Sequence, residues 1–124
     1  MLWIIDGMNV IGAGGGQSQW WRDRDGAMLA LVDLLERWAA EHNEDVTVVF
    51  ERKPSPPIRS TVIEVAHAPK PKRDAADDEI IRRLKAMPDP HAVMVVTSDR
   101  WLAERATVIG AAVIGADSFR GRLQ

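Results

Sequence analysis

Three short apolar runs recur along the chain, and each of them leads into an acidic residue. They are residues 2–5 before Asp6, residues 46–50 before Glu51, and residues 92–97, which reach Asp99 through Ser98. Runs without polar alternation are typical of strands that are buried on both faces of a parallel sheet. Because parallel strands end at one edge of their sheet, we expect the three acids to converge there.

Helical periodicity dominates the segments between these strands. Apolar residues at three- and four-residue steps predict a helix from Trp20 to about His42. Shorter helices are predicted from near Asp74 to before Pro88, over residues 100–107 and over residues 117–123, with further short strands over residues 61–65 and 112–114. This alternation predicts one α/β domain over residues 1–124, with a mostly parallel central sheet and helices on both faces.

A glycine-rich segment, residues 10–19, follows the first strand and is predicted to form a mobile loop. Its spacing fits neither a phosphate-binding P-loop nor a dinucleotide-binding GxGxxG motif. Trp20 and Trp21 come directly after it. Two interpretations of this pair stay open: stacking on nucleic-acid bases, or packing of at least one ring under the glycine segment.

Composition narrows the classes of function. The 124 residues have a net charge of −2, so nucleic acid would have to be bound by a local basic patch. Cysteine is absent, which excludes disulfides and thiolate metal sites and fits a reducing compartment. No run approaches the ~20 apolar residues of a membrane span, and a strand that starts at residue 2 leaves no room for a signal peptide. We therefore expect a cytoplasmic protein.

Three consecutive acids stand in the first turn of the helix that begins near Asp74. At ~100° per residue, Asp77 lies in the middle of the apolar arc, Asp78 lies on the solvent side one turn before Arg82, and Glu79 lies on the far side. The helix dipole alone would explain acids at this position. However, a carboxylate that points towards the sheet is costly unless something pairs with it, so Asp77 is the candidate for a site role.

Asp6, Asp77 and Asp99 are therefore predicted to face one crevice, although Asp6 and Asp99 could also serve as turn formers or helix N-caps. Two carboxylates ~4 Å apart repel by ~4 kcal/mol at an effective dielectric of about 20, and a divalent cation is the usual remedy. Oxygen ligands without cysteine or a spaced histidine pair favour Mg²⁺ or Mn²⁺ over Zn²⁺. Such ions in a carboxylate crevice most often act on phosphodiesters.

Three motifs occur in order: D-G-x-N at residues 6–9, A-D-x-x-I at residues 76–80 and T-S-D-R at residues 97–100. With them the chain resembles the YacP-like NYN domains, a branch of the PIN-like nucleases, along nearly its whole length. The resemblance implies a PIN-like Rossmannoid fold and a metal-dependent ribonuclease. By position it makes Asp6, Asp77 and Asp99 the metal ligands, and Asn9 and Ser98 the polar residues beside the first and last acids. Glu51 departs from the family pattern, which usually has an aspartate there.

The leading hypothesis is an endoribonuclease that cleaves RNA with Mg²⁺ or Mn²⁺. Its catalytic residues would be Asp6, Asn9, Asp77, Ser98 and Asp99, and its candidates for binding RNA phosphates are Arg52, Lys53, Lys70, Lys72, Arg73 and Arg100. The alternative is a catalytically silent RNA-binding or ribosome-associated adaptor with the same fold. A phosphotransferase of the haloacid-dehalogenase type is disfavoured, because it requires a second aspartate where Met8 stands.

Overall fold

A five-stranded sheet forms the centre of the molecule, in a computed structural model that describes residues 1–14 and 20–123. Its strands are β1 (Leu2–Asp6), β2 (Asp45–Phe50), β3 (Glu64–His67), β4 (Val93–Val96) and β5 (Ala112–Ile114). They are ordered β3-β2-β1-β4-β5, and every neighbouring pair is parallel. The predicted α/β fold with a parallel central sheet is confirmed.

Five α-helices in the described part of the chain cover the two faces of this sheet. They are α1 (Gly7–Ala13), α2 (Arg24–His42), α3 (Ala75–Ala86), α4 (Arg100–Ile109) and α5 (Ala116–Arg122). The helices α1, α2 and α5 pack on one face, and α3 and α4 pack on the other. Single 3₁₀ turns, Trp20–Arg22 and Pro90–Ala92, precede α2 and β4. None of the helices described is long and apolar enough to cross a membrane.

The central strand, β1, is buried from both sides. Trp3 and Ile5 belong to the core under α1, α2 and α5, whereas Ile4 belongs to the core under α3 and α4. The exposed fraction is 7% for Trp3 and 0% for Ile4 and Ile5. Because both faces of the strand are covered, its sequence shows no polar alternation.

The chain turns directly from β1 into α1, so the predicted loop over residues 10–19 is wrong in its first part. Val10 and Ile11 are buried in the core, and this packing stabilises a helix that the nearby glycines disfavour. Gly7 is required at the turn itself, because a Cβ atom there would lie 2.5 Å from the ring of Phe50. The remainder of the loop prediction, residues 15–19, lies outside the described residues.

The long helix α2 begins at Arg24 rather than at Trp20. Asp23 is its N-cap, and the side chain of Asp23 accepts a hydrogen bond from the N–H group of Gly26 at 2.9 Å. The two tryptophans therefore lie in the preceding 3₁₀ turn and not in the helix. The predicted end of α2 at His42 is confirmed.

The strand predicted over residues 61–65 is displaced towards the C-terminus, and β3 spans Glu64–His67. The hydroxyl group of Ser60 accepts hydrogen bonds from the N–H groups of Val62 and Ile63, both at 3.1 Å. These bonds hold the backbone in a bend, so it cannot join the ladder with β2 until Glu64.

The ion pairs of α3 differ from the prediction. Asp78 pairs with Lys72 at 3.4 Å rather than with Arg82, and Arg82 binds Glu79 at 2.6 Å. Glu79 also accepts a hydrogen bond from Arg83 at 2.8 Å and has an exposed fraction of only 5%. The predicted position of Glu79 on the far side of the helix did not indicate this burial, because helical phase takes no account of the arginine side chains that fold over it.

The order of the strands positions the candidate site. β1 lies between β2 and β4, and the chain builds β2 and β3 on one side of it before crossing to β4 and β5 on the other. Such a reversal leaves a crevice outside the carboxyl ends of the adjacent strands. Asp6 ends β1, and Asp99 follows β4 after two residues, so both lie at this crevice.

Candidate metal centre and nucleic-acid interface

An acidic cluster is present at the predicted edge of the sheet, and its membership differs from the prediction. Carboxylate oxygens of Asp74, Asp77 and Asp99 all lie within 4.8 Å of one another. Asp6 lies close enough to this group for its charge to affect Asp77. The first turn of α3 and the segments that follow β1 and β4 thus bring four aspartates together, of which sequence reasoning named three.

Asp74 occupies the N-cap position of α3, at the predicted start of this helix. Its side chain, however, accepts no capping hydrogen bond, and its backbone is left-handed, with a φ of 63°. The carboxylate is therefore available to the crevice. Its spacing of three residues from Asp77, which places the two on the same side of the helix, is the sequence signal that could have identified it.

Asp6 is buried at the end of β1 and is held there by Thr97, the residue that follows β4. The hydroxyl group of Thr97 donates to the carboxylate of Asp6 at 2.9 Å and accepts the N–H of Asp99 at 3.1 Å. Burial raises the pKa of Asp6 to about 6, and repulsion by Asp99 and Glu51 adds to this, while the bond from Thr97 acts against it. Thr97 thus links two of the acids, a role that its place in an apolar run did not indicate.

Asp77 has an exposed fraction of 7% and faces other acids. Burial raises its pKa to about 7, and repulsion by Asp6, Asp99 and Asp74 adds to the effect. No cation in the described part of the chain forms an ion pair with any of these four aspartates. Asp6 and Asp77 are buried, Asp99 is half-buried and Asp74 is exposed, and buried carboxylates such as the first two are costly unless a cation balances them.

Asn9 and Ser98 lie beside the acids, and both have structural contacts. The side-chain oxygen of Asn9 accepts the N–H of Ser98 at 2.7 Å, which ties α1 to the end of β4. The hydroxyl of Ser98 accepts the N–H of Ala116 at 2.8 Å, at the start of α5. Their remaining donors, the amide NH₂ group and the hydroxyl proton, are not used by these bonds.

The acids are suited to a hard divalent cation. All of the donors are carboxylate oxygens, as Mg²⁺ and Mn²⁺ prefer. One oxygen of Asp99 accepts the N–H of Leu102 at 2.9 Å and caps α4, which fixes the carboxylate and leaves its second oxygen for a ligand. Asp74, Asp77 and Asp99 are the residues that could share one ion, with Asp6 next to them. The donor chemistry and the raised pKa values therefore fit a metal centre.

A cavity of about 520 Å³ adjoins the acids on the side of β2. We call it the Trp20 cavity, and its lining residues are Met8, Trp20, Arg24, Met28, Glu51, Arg52, Pro71, Lys72 and Arg73. Three of the six predicted phosphate-binding residues, Arg52, Lys72 and Arg73, are brought together here. The other three, Lys53, Lys70 and Arg100, do not line it.

Two of the cations in the Trp20 cavity are partly neutralised. Arg52 pairs with Asp25 of α2 at 3.0 Å, and Lys72 pairs with Asp78 of α3 at 3.4 Å. Arg73 forms no ion pair within the described residues. Of these three cations, Arg73 therefore offers the most positive charge to a ligand.

The crevice at the acids themselves has a volume of about 270 Å³, and Trp101 forms one of its walls. This ring has an exposed fraction of 44%, and the guanidinium group of Arg105 lies 4.8 Å from its centroid. Trp101 was not among the candidate site residues predicted from the sequence.

A parallel sheet with aspartates at the carboxyl ends of its central strands defines a Rossmann-like protein with an acidic crevice at that edge of the sheet. The family model of the YacP-like NYN domain matches residues 3–124, and the chain belongs to this family. No curated protein gave a match.

Solved structures agree with this assignment of the fold. The chain is similar to the crystal structure of Rae1 (YacP) from Bacillus subtilis and to that of a mutant of the same protein. In both comparisons the TM-score is 0.77 and the sequence identity is 21%, over 98% of this chain. The match covers 73% and 74% of the two Rae1 chains. The predicted family and fold are confirmed.

Proposed function

We propose that residues 1–124 act as a single divalent-metal-dependent endoribonuclease domain. The observation on which this rests is the group of Asp74, Asp77 and Asp99, whose carboxylates lie within 4.8 Å of one another without a basic partner among the described residues. A group of this kind, in a chain of the YacP-like NYN family with a PIN-like fold, favours a nuclease. The absence of cysteine supports a reducing compartment such as the cytoplasm.

Asp74, Asp77 and Asp99 would hold the cation, and Asp6 would complete the negative field around it. When bound, Mg²⁺ or Mn²⁺ supplies positive charge to a phosphodiester and increases the acidity of water beside it. Thr97 keeps Asp6 and Asp99 in fixed positions through its two hydrogen bonds. The amide NH₂ of Asn9 and the hydroxyl proton of Ser98 are left to orient a phosphate oxygen or a water molecule.

The basic residues would hold the RNA backbone. Lys72 and Arg73 lie at the edge of the Trp20 cavity, directly before the acids of α3. Arg52, Lys53, Lys70 and Arg100 would add weaker contacts on either side. With a net charge of −2, the protein has no general attraction for RNA, so this local patch must supply most of the affinity.

A cleavage assay with labelled single-stranded RNA tests the proposal. The purified protein is incubated with Mg²⁺, with Mn²⁺, or with EDTA. We expect internal cuts with either metal and none with EDTA. Cleavage that survives EDTA would contradict a carboxylate–metal mechanism. Binding without cleavage in both metals would instead support the RNA-binding adaptor.

Salt dependence tests the basic patch separately. Binding of RNA should weaken steeply as salt rises, because phosphate contacts release counterions. Neutralising Lys70, Lys72 and Arg73 together should lower the slope of log affinity against log salt by about two to three, at roughly one per lost contact. An unchanged slope would show that RNA binds to other residues.

A further inference from the structure

We propose that the Trp20 cavity is a nucleotide-binding subsite, which takes one unstacked base of single-stranded RNA beside the metal centre. This inference rests on the proposed ribonuclease function and adds to it the position of one nucleotide. The volume of about 520 Å³ lies within the range of ~300–1,000 Å³ that is usual for small-molecule sites.

One side of the cavity can hold an aromatic base. Trp20 is half-buried, packs against the core, and lines the cavity together with the apolar side chains of Met8 and Met28. Trp21 contacts Trp20 edge to face at 6.0 Å, but it has an exposed fraction of 50% and does not line the cavity. Of the two rings, only that of Trp20 lines the cavity, so stacking on a base is proposed for Trp20, while its packing against the core also fits the second interpretation of the pair.

The same cavity can also hold a phosphate. Arg24 and Arg73 both line it, and neither forms an ion pair within the described part of the chain. The guanidinium group of Arg24 lies 5.6 Å from the centroid of the Trp20 ring. An aromatic face next to unneutralised cations is the usual combination in proteins that bind single-stranded nucleic acids.

The position of the cavity connects it with the acids. Met8 follows Asp6 by two residues, and Glu51 lies near enough to raise the pKa of Asp6. On the other wall, Lys72 pairs with Asp78, which also lines the acidic crevice. A nucleotide in the cavity would therefore place its neighbouring phosphodiester towards Asp77 and Asp99.

Binding of a fluorescent single-stranded RNA of about 10 nucleotides tests this inference, with EDTA present so that no cleavage occurs. Trp20→Ala should weaken binding about tenfold, the expected loss for one stacked base, and Trp20→Phe should keep most of it. Trp21→Ala is the matched control and should bind within about twofold of the wild type.

Charge is tested in the same assay. Arg73→Gln should weaken binding and lower the salt slope by about one. Lys85→Gln removes an equal charge from the last turn of α3 and should change neither quantity. If Trp20→Ala and Arg73→Gln both bind as the wild type does, the subsite is wrong.

Photocrosslinking with the wild-type protein tests the subsite even if the Trp20→Ala variant fails to fold. RNA that contains 4-thiouridine is irradiated with the wild-type protein, and the linked peptides are identified by mass spectrometry. We expect links to Trp20, Met8 or Met28; links confined to other surfaces would overturn the proposal.

The two proposals can fail independently. If the wild type cleaves RNA with metal while Trp20→Ala and the crosslinks show no role for the cavity, the subsite fails and the nuclease stands. If the cavity binds RNA as described but neither metal supports cleavage, the subsite stands and the nuclease fails.

Discussion

Asp77 and Glu79 stand two residues apart on α3, and both are buried, yet their surroundings are opposite. The exposed fraction is 7% for Asp77 and 5% for Glu79. Glu79 accepts hydrogen bonds from Arg82 and from Arg83, and the bond from Arg82 is the main cause that holds its pKa below the usual value. Asp77 has no ion-pair partner among the described residues, and burial together with repulsion by Asp6 and Asp99 raises its pKa to about 7.

The comparison shows that burial alone does not identify a functional acid. Arg83 also binds Glu64 at 3.0 Å, and Glu64 accepts a hydrogen bond from the hydroxyl of Thr47. This network joins α3 to β3 and β2 and satisfies every carboxylate in it. The region of Asp77 has a similar depth, but no cation in the described part of the chain pairs with Asp77, and a positive charge is what the proposed metal centre would add there.

The largest effect is expected from Asp77→Asn. It keeps the volume of the side chain but removes a charge that the cation needs, so cleavage of RNA should fall by at least about a hundredfold. The unfolding free energy of the metal-free protein should rise by about 1 kcal/mol, because repulsion within the cluster is relieved. RNA cleavage and thermal unfolding in EDTA measure the two effects. Normal cleavage by this variant would show that Asp77 is not part of the site.

The second-largest effect is expected from metal binding, which should stabilise the wild-type protein. Mg²⁺ at about 100 times its Kd adds ~2.7 kcal/mol to the unfolding free energy if only the folded protein binds it. The gain should largely disappear in Asp77→Asn. Thermal unfolding with and without Mg²⁺ checks this, and equal gains in both proteins would contradict the proposed ligand.

The same measurement has a predicted dependence on pH. The pKa of Asp77 is about 7 and that of Asp6 is about 6 in the folded protein, against 3.8 for an ordinary aspartate. Their contribution to stability is therefore complete below about pH 4 and is lost as the pH rises through about 6 to 7. Without metal the unfolding temperature should fall across this window. Added Mg²⁺ should raise it more at about pH 8 than at about pH 5.

Glu79→Gln tests the other half of the comparison. It breaks charged hydrogen bonds to Arg82 and Arg83, and we expect a loss of about 1–2 kcal/mol, reduced because Arg82 is largely exposed. Cleavage should stay near the wild-type rate, because this network is on the side of α3 away from the crevice. Denaturant unfolding and the RNA assay measure both. A stable but inactive variant would show that Glu79 belongs to the site.

Asp78→Asn should have the smallest effect. Asp78 is exposed, and its pair with Lys72 is also exposed, so its removal should cost a few tenths of a kcal/mol at most. Cleavage should remain close to normal. This variant is the matched control for Asp77→Asn, because the same change is made one position along the helix. Equal loss of cleavage in both variants would favour a general effect of charge on the start of α3.

Much of this arrangement could be predicted from the chain, because it depends on short-range periodicity. The apolar runs before Asp6 and Asp99 indicated buried parallel strands, and parallel strands end at a common edge. Helical phase placed Asp77 on the buried side of α3 and Asp78 in solvent, as the structure shows. These inferences need only the geometry of a strand and of a helix.

Helical phase failed to predict the burial of a residue where other side chains cover it. Glu79 lies at an angle that points away from the apolar arc, but Arg82 and Arg83 cover it, and Arg83 is held there by Glu64 of β3. Similarly, the helix α1 forms in spite of its glycines, because Val10 and Ile11 are buried against the sheet.

The sequence alone predicted the strands that lead into the acids, the family resemblance and three of the four aspartates. Only the tertiary structure showed that Asp74 turns into the crevice and that Thr97 is bonded to Asp6, which lies 91 residues away along the chain. The Trp20 cavity likewise combines α1, α2 and the segments after β2 and β3. The physical reason is distance: local periodicity specifies which side of an element a residue occupies, whereas contacts between separate elements depend on how the whole chain packs.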